Sequence, residues 1–196
     1  MRVTGDLFAE RNDGDKPPGE VFFVINPDVD GAVATRAVER GLSIGHGLTG
    51  KPFTPERLHV TLLSIGHYPE LRKEFVDTAC VAAAAAAVRP FEVVFDRAIS
   101  FPTGRPTRPL ALIGGDGVIG VEMLQQRLFA EMKRVGLRVR KLGQRPHMTL
   151  LYDRCSVAEQ PVEPVRWTVR EFVLVHSLYG QSRHVPLARW PLLAQS

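Results

Sequence analysis

Cysteine is scarce in this sequence of 196 residues, which contains two copies, Cys80 and Cys155. They do not form a C-x-x-C pair, so their spacing predicts neither a structural zinc site nor a disulfide framework. We expect both to be ordinary packing or surface thiols. The chain also lacks an uninterrupted apolar stretch of the length that spans a bilayer.

A secretory signal pattern is missing as well. Residues 1–20 carry acids, glycine and proline where a signal peptide would need an apolar centre. We therefore expect a cytoplasmic protein, with a flexible N-terminal arm over residues 1–19 and a single bilobal domain over residues 20–196. The length suits one domain, or two small lobes that share a core.

Dense runs of lysine and arginine are absent too, although the net charge is +4 and the isoelectric point is about 9.4. The chain is thus weakly basic compared with a dedicated DNA-binding domain. A modest positive balance permits an anionic ligand without requiring one. If nucleic acid binds, we expect contact with an end or a small fragment rather than a long electrostatic footprint.

The chain does not show the regular strand–helix–strand repeat of a doubly wound fold. Apolar runs and turn signals predict helices at 29–44, 69–89 and 118–136, and strands at 20–28, 58–66, 91–101, 110–115 and 147–153. A proline-broken loop follows, then a β run at 166–180 and a last strand at 184–192. This order predicts an α+β fold and suggests a duplicated unit.

The pattern H-x-T-L-L occurs twice, with His59 and Thr61 in the first copy and His147 and Thr149 in the second. Two copies on predicted strands are expected by chance in on the order of one in a thousand chains of this length. Side chains alternate along a strand, so the histidine and threonine of each copy share one face. Neighbouring motif strands would place two imidazoles and two hydroxyls in one cleft.

These residue types suit phosphoryl chemistry. Histidine changes charge near neutral pH, and two histidines can divide the base and acid roles. Threonine hydroxyls can hydrogen-bond the non-bridging oxygens of a phosphate. A catalytic zinc site normally needs three protein ligands, and the chain has no H-x-H or H-x-x-E-H pattern, so we expect neither a metal nor another cofactor.

The two motifs make the chain resemble the two-histidine (2H) phosphoesterase superfamily, in its 2′-5′ RNA ligase-like, or RNA 2′,3′-cyclic phosphodiesterase, branch. Gly66 after the first copy and Pro146 before the second match that branch. The resemblance implies two pseudo-symmetric lobes with antiparallel sheets facing a central cleft, and helices packed outside. It also implies opening of 2′,3′-cyclic phosphates to 2′-phosphates, with reversible 2′-5′ ligation in some members.

Carried over by motif, the resemblance makes His59 and His147 the acid/base pair, and Thr61 and Thr149 the phosphate anchors. For hydrolysis, we interpret His147 as the base for water and His59 as the acid for the leaving 3′-oxygen, an assignment that the sequence leaves open.

RNA-acting members of the branch carry an aromatic residue soon after the first motif and an arginine two residues after the second. Here Ser64 and Tyr152 stand in those places. The substrate therefore stays open between an RNA end and a smaller nucleotide.

Further ligand-binding candidates lie around the motifs. Loop cations could hold substrate phosphates, namely Lys51, Arg57, Arg105, Arg108 and Arg145. Tyr152 and Phe23 could stack a base, although core packing is the favoured interpretation for Phe23. The remaining histidines are interpreted as surface residues (His46 and His67) or as structural residues of the β-rich tail (His176 and His184).

Two other functions stay open. The first is a non-catalytic module that binds a nucleotide or RNA, and the second is a cyclic phosphodiesterase for an ADP-ribose-type metabolite. The expected partner is an RNA end or a small cyclic-phosphate nucleotide, with no membrane and no obligate protein partner.

Overall fold

The computed structural model describes residues 19–68, 71, 73–86, 88–139, 145–178 and 183–193. The predicted N-terminal arm lies outside the described residues except for Gly19, which begins the first strand. Within these ranges, no helix is long and apolar enough to cross a membrane.

Eight strands and three α-helices make up the described chain. The helices are α1 (Val29–His46), α2 (Lys73–Ala85) and α3 (Ile119–Arg134), and short 3₁₀ turns cover Pro55–Arg57 and Asp116–Val118. The strands are β1 (Gly19–Ile25), β2 (Val60–Tyr68), β3 (Phe91–Ser100), β4 (Arg108–Ile113), β5 (His147–Asp153), β6 (Gln160–Val169), β7 (Glu171–Leu178) and β8 (Arg183–Pro191).

These strands form one sheet in the order β6-β3-β4-β5-β2-β1-β7-β8, with every described pairing antiparallel. The predicted α+β class with antiparallel strands is confirmed. The two motif strands, β2 and β5, lie at the centre, and their described pairing consists of Val60 with Met148. The two predicted lobes are thus four-stranded halves of a single sheet, each with a motif strand innermost.

The helices bury their apolar side chains against one face of the sheet. Val121, Leu124, Leu128 and Met132 recur at helical spacing along α3 and are fully buried. In the alanine-rich α2 the buried residues are small, which allows close packing of the helix. Helix α1 joins β1 to β2 in the sequence but contacts β6 of the other half. Helix α3 joins β4 to β5 and contacts β2 of the first half. This exchange ties the two halves together.

The other face of the sheet carries a smaller apolar cluster. On β1, Phe22 and Val24 alternate with the core residues, and they pack with Val173 and Val175 of β7. The cluster covers part of the face to which the motif side chains also point.

Two elements differ from the sequence prediction. Helix α1 extends two residues beyond the predicted end, to His46, and is capped by Gly47, whose φ of 62° is the left-handed conformation that glycine adopts without strain. The β run predicted at 166–180 is divided between β6 and β7 at Arg170, and β6 begins at Gln160 in spite of its two prolines. Because β6 is an edge strand, a proline there need not remove a ladder hydrogen bond.

Candidate active site

The same β-bulge follows the motif threonine in both copies. The extra residue is Leu62 in β2 and Leu150 in β5, and in each strand the pairing skips that leucine. Both of these leucines are buried, and so are Leu63 and Leu151, which follow them. The bulge therefore explains why two consecutive leucines point to the core on a strand that would otherwise alternate.

The bulge also determines which residue next returns to the site face. Beyond two core-facing leucines, the next residue is Ser64 in β2 and Tyr152 in β5. Ser64 pairs with Phe22, whose side chain lies on that face, and Tyr152 is 48% exposed. Ser64 and Tyr152 thus occupy equivalent positions in the two halves.

The pairing of Val60 with Met148 relates the two motifs by approximate two-fold symmetry. Both side chains are fully buried in the core, so the motif residues on either side of them point to the opposite face. Continuing the register of that pair sets His59 level with Thr149, and Thr61 level with His147. In this register each histidine lies opposite the threonine of the other copy.

Side chains outside the motifs fix the backbone of the first copy. Gln125 of α3 donates from Nε2 to the Thr61 carbonyl at 3.1 Å. Asn26, just after β1, donates from Nδ2 to the Leu58 carbonyl at 2.9 Å. These two hydrogen bonds hold the segment that carries His59 on both sides of that residue.

The two motif imidazoles are anchored in the same way. His59 Nδ1 lies 2.7 Å from the Arg57 carbonyl oxygen, and His147 Nδ1 lies 2.9 Å from the Arg145 carbonyl oxygen. A carbonyl oxygen only accepts, so Nδ1 of each ring is the donor. In the neutral form, Nε2 is then the nitrogen that can take a proton from a ligand.

His59 lies in a more enclosed environment than an ordinary surface histidine. Burial lowers its pKa to about 4, and this outweighs the hydrogen bond to the Arg57 carbonyl, which favours the charged form. Electrostatic repulsion from His184, His147 and Arg57 lowers the pKa further. His147 thus acts on His59 electrostatically across the centre of the sheet.

The site contains a third imidazole that the sequence analysis assigned to the structural tail. The ring of His184, on edge strand β8, meets the ring of His59 edge to face, with centroids 4.8 Å apart. Phe22 touches both rings, at 5.6 Å from His59 and 5.4 Å from His184. His184, interpreted from the sequence as a structural residue of the β-rich tail, thus lies beside the first motif histidine, and a functional role for it stays untested by these contacts. No local pattern marks this residue, because its position depends on the curvature of the sheet.

His147 also has a phenylalanine neighbour, which comes from the end of another strand. The Phe101 ring, just beyond the end of β3, meets the His147 ring edge to face at a centroid distance of 5.1 Å. Phe101 is half-buried, and its backbone N–H donates to the Pro109 carbonyl, so the ring is held at the start of the β3–β4 loop.

Tyr152 belongs to a short series of side chains that contact one another beside the motifs. Its ring centroid lies 6.0 Å from that of Phe53, and the Arg57 guanidinium lies over the Phe53 ring, 4.1 Å from its centroid. The Phe53 N–H donates to the Leu150 carbonyl at 2.8 Å, which docks the loop on β5. Of the predicted loop cations, Arg57 is the one that the structure brings to His59. Phe53 carried no signal in the sequence.

The loop that carries Phe53 is held by one carboxylate. Asp153 Oδ2 accepts from the backbone N–H groups of Thr49 at 2.7 Å and Gly50 at 2.6 Å, and Oδ1 accepts from Cys155 at 2.7 Å. These bonds, led by the one from Cys155, hold the Asp153 pKa below its usual value. A side chain at residue 50 would collide with the Tyr152 carbonyl, so glycine is required there.

The inclusion of Phe23 among the base-stacking candidates is wrong. Its side chain is fully buried on the helix-covered face, where it packs against Phe172 at 6.1 Å and Trp190 at 5.8 Å. Strand alternation gives the site face to its neighbour Phe22 instead.

The other predicted cations are engaged elsewhere or lie on the surface. Arg145 donates to the Gly114 carbonyl at 3.1 Å and lies 3.7 Å from Glu159, while Arg108 donates to the Arg154 carbonyl at 3.1 Å. Lys51 and Arg105 lie on exposed loops. A role for these four side chains in binding phosphate stays a prediction.

A family model described as the 2'-5' RNA ligase superfamily matches residues 32–181. The chain belongs to this superfamily. The resemblance to 2H phosphoesterases that the motifs indicate is thereby confirmed. No curated protein sequence matches the chain.

Several solved structures share the fold. E. coli LigT in its apo form superposes with a TM-score of 0.72 at 23% identity, over 90% of this chain and 98% of LigT. LigT complexed with 3'-AMP gives a TM-score of 0.71 at 24% identity, over 90% and 99% of the two chains. TT0787 of Thermus thermophilus gives 0.67 at 22% identity, over 88% and 97%. At these identities the likeness shows the fold, that of a 2H phosphoesterase.

Proposed function

We propose that this protein is a metal-independent phosphodiesterase that opens 2′,3′-cyclic phosphates of RNA ends or nucleotides to 2′-phosphates. One observation carries the proposal: two imidazoles with matching Nδ1 anchors lie at the centre of the sheet, each beside a threonine on the same face. LigT, which shares the fold, has been crystallised with ATP, NADP+ and 3'-AMP, and this supports a nucleotide-type ligand.

In the proposed reaction, a water oxygen attacks the cyclic phosphorus and the bond from phosphorus to the 3′-oxygen breaks. One imidazole takes the proton from water, and the other gives a proton to the departing 3′-oxygen. The Thr61 and Thr149 hydroxyls hydrogen-bond the non-bridging oxygens, which gain charge in the transition state. With a 5′-hydroxyl in place of water the same groups would form a 2′-5′ linkage, a minor activity in dilute aqueous solution.

The surroundings of His59 favour it as the base. With a pKa of about 4, its ring is neutral at pH 7 in the free protein, and Nε2 can accept a proton. His147 is then the acid that protonates the 3′-oxygen. This proposal reverses the assignment that was drawn from the sequence.

The test compares three substrates in the presence of EDTA: a 2′,3′-cyclic mononucleotide, an oligonucleotide ending in a cyclic phosphate, and a cyclic phosphate of ADP-ribose. Phosphorus NMR identifies the product as a 2′- or 3′-phosphate. His59→Ala and His147→Ala should each lower kcat/KM by about 10² to 10⁴, the usual range for a general acid or base. His46→Ala is the control, because His46 is exposed in the last turn of α1.

The possible results separate the alternatives. Wild-type rates in both motif variants would refute paired-histidine catalysis. Saturable binding without turnover would identify a binding module, and turnover of the ADP-ribose derivative alone would identify the metabolite as substrate. Loss of activity in EDTA would show that a metal takes part. Cytoplasmic location stays a prediction.

A further inference from the structure

His184 is placed to control the motif histidine on the first half of the sheet. It lies on edge strand β8, three strands away from β2, and its ring reaches over the site face to meet the His59 ring at 4.8 Å. Phe22, between them on β1, contacts both rings. The three rings thus form one cluster in which each contacts the other two.

His184 also lines a cavity of about 830 Å³, whereas His59 is not among the residues that line it. The walls of the cavity include Val173 and Val175 of β7, Pro186 of β8, and the first turn of α1 at residues 29–33. His184 is therefore a part of the cavity wall that contacts the His59 ring.

Within the described residues, three charged or titratable groups act on His59. Arg57 lies in the preceding turn, His147 in β5 and His184 in β8, and each of the three disfavours the protonated form of His59. Glu20 of β1 is on the same face of the sheet, and its carboxylate is hydrogen-bonded to the Ser64 hydroxyl at 2.6 Å. Removal of the His184 ring would expose His59 to the cavity, whose charged lining residues carry both signs, namely Asp28, Arg36, Glu56, Arg170, Glu171 and Arg189.

We propose that His184 is a positioning residue of the two-histidine centre, which holds the His59 ring in one orientation and shields it from solvent in the adjoining cavity. The structural part of this inference stands on the ring contacts and the cavity. The kinetic part rests on the proposed function, since it requires that His59 takes a proton during turnover.

Two variants separate the ring from its nitrogens. His184→Phe keeps an aromatic ring in contact with His59 and in the cavity wall, whereas His184→Ala removes that ring from both places. The imidazole proton signals of His59, assigned in each protein by comparison with His59→Ala, report its pKa without any substrate. In His184→Ala the pKa should rise by about one unit or more towards the ordinary value, because burial is the main cause of its lowering. In His184→Phe it should stay near the wild-type value.

Kinetics provide the second measurement. His184→Ala should lower kcat for cyclic phosphate hydrolysis by about 10- to 100-fold with a smaller change in KM, since a displaced base loses alignment. His184→Phe should restore kcat to within about threefold, and His46→Ala should change neither measurement. If the alanine variant does not fold, His184→Val replaces it, because valine is well tolerated in strands and presents no aromatic edge.

The two failures can be told apart. An unchanged His59 pKa in the alanine variant would overturn the shielding role, whatever the activity. A loss of kcat in His184→Phe as large as in His184→Ala would show that the nitrogens of His184 are required, and would overturn the positioning role. If the wild-type protein opens none of the cyclic phosphates, the proposed function fails, while the titration of His59 still decides the role of His184.

Discussion

His59 and His147 carry the same motif and the same Nδ1 anchor, but their neighbours differ. His59 is packed against Phe22 and the imidazole of His184, and the His147 ring meets the Phe101 ring edge to face. An apolar surround disfavours the protonated ring, whereas a hydrogen bond from Nδ1 to a carbonyl favours it. At His59 burial is the stronger of these two effects, so packing lowers the pKa of this ring in spite of its Nδ1 anchor. The motif alone does not contain this packing.

The pH dependence of kcat/KM tests the base role of His59. A base must be unprotonated, so kcat/KM should stay level as pH falls below 6.5 and should decline only as it passes through about 4, the pKa of His59 in the free protein. Initial rates on a cyclic mononucleotide over that range measure the profile, and far-UV circular dichroism at each pH verifies that the fold persists. A decline centred near the ordinary histidine pKa would contradict a base with the lowered pKa of His59.

At the scale of the element, the L-L ending of each motif is explained by a bulge rather than by simple alternation. The bulge turns Ser64 and Tyr152 to the site face and leaves both leucines in the core. The loop after α1 then adds Phe53 to the same region, held to β5 through Asp153. One carboxylate thus positions a whole loop of the site.

Replacement of Asp153 tests this loop. Asp153→Ala removes the acceptor for three backbone N–H groups and should lower the free energy of unfolding by about 2 to 3 kcal/mol. The control Asp77→Ala removes an exposed carboxylate paired with Lys73 and should cost no more than about 0.5 kcal/mol. Urea unfolding near neutral pH measures both values. Equal costs would contradict the role of Asp153.

The same variant predicts a pH dependence of stability. The folded pKa of Asp153 lies below its ordinary value of 3.8, so its contribution is complete above that value and disappears as pH falls through the lower folded pKa. The difference in stability between wild type and Asp153→Ala should therefore shrink in acid. A difference that stays constant there would show that the charge of Asp153 is not what stabilises the loop.

At the scale of the whole molecule, the chain interleaves its two halves. The first half contains β1 and β2 together with β7 and β8 from the end of the chain, and the second half contains the strands between them. Helices α1 and α3 each contact the half opposite to the strands that they follow. One continuous core extends across both halves, so neither half has a core of its own.

This interleaving predicts a single cooperative unfolding transition. The two tryptophans of the sequence, Trp167 in β6 and Trp190 in β8, lie on the opposite edge strands of the sheet. Trp167→Phe and Trp190→Phe each leave one tryptophan, whose fluorescence reports one half. Within each variant, the urea midpoint by fluorescence should coincide with the midpoint by far-UV circular dichroism. Midpoints that separate in either variant would show that the halves unfold independently.

Local patterns of the sequence determine the position of most elements and the four motif residues. Strand alternation places His59 and Thr61 on one face, and His147 and Thr149 on one face, whatever the rest of the chain does. The β5 prediction matches the observed strand from His147 to Asp153, and the central placement of both motif strands agrees with the duplicated order of elements.

Tertiary structure alone decided what surrounds those residues. In the folded protein Phe22, rather than Phe23, lies on the site face. His184 contacts His59 although it lies on the far edge strand of the same half of the sheet, and the Arg57 guanidinium lies over the Phe53 ring. Tertiary structure also divided the predicted β run at Arg170. The physical reason is that a side chain's face follows from its own strand, whereas its neighbours follow from long-range pairing, bulges and sheet curvature, which no short stretch of the sequence contains.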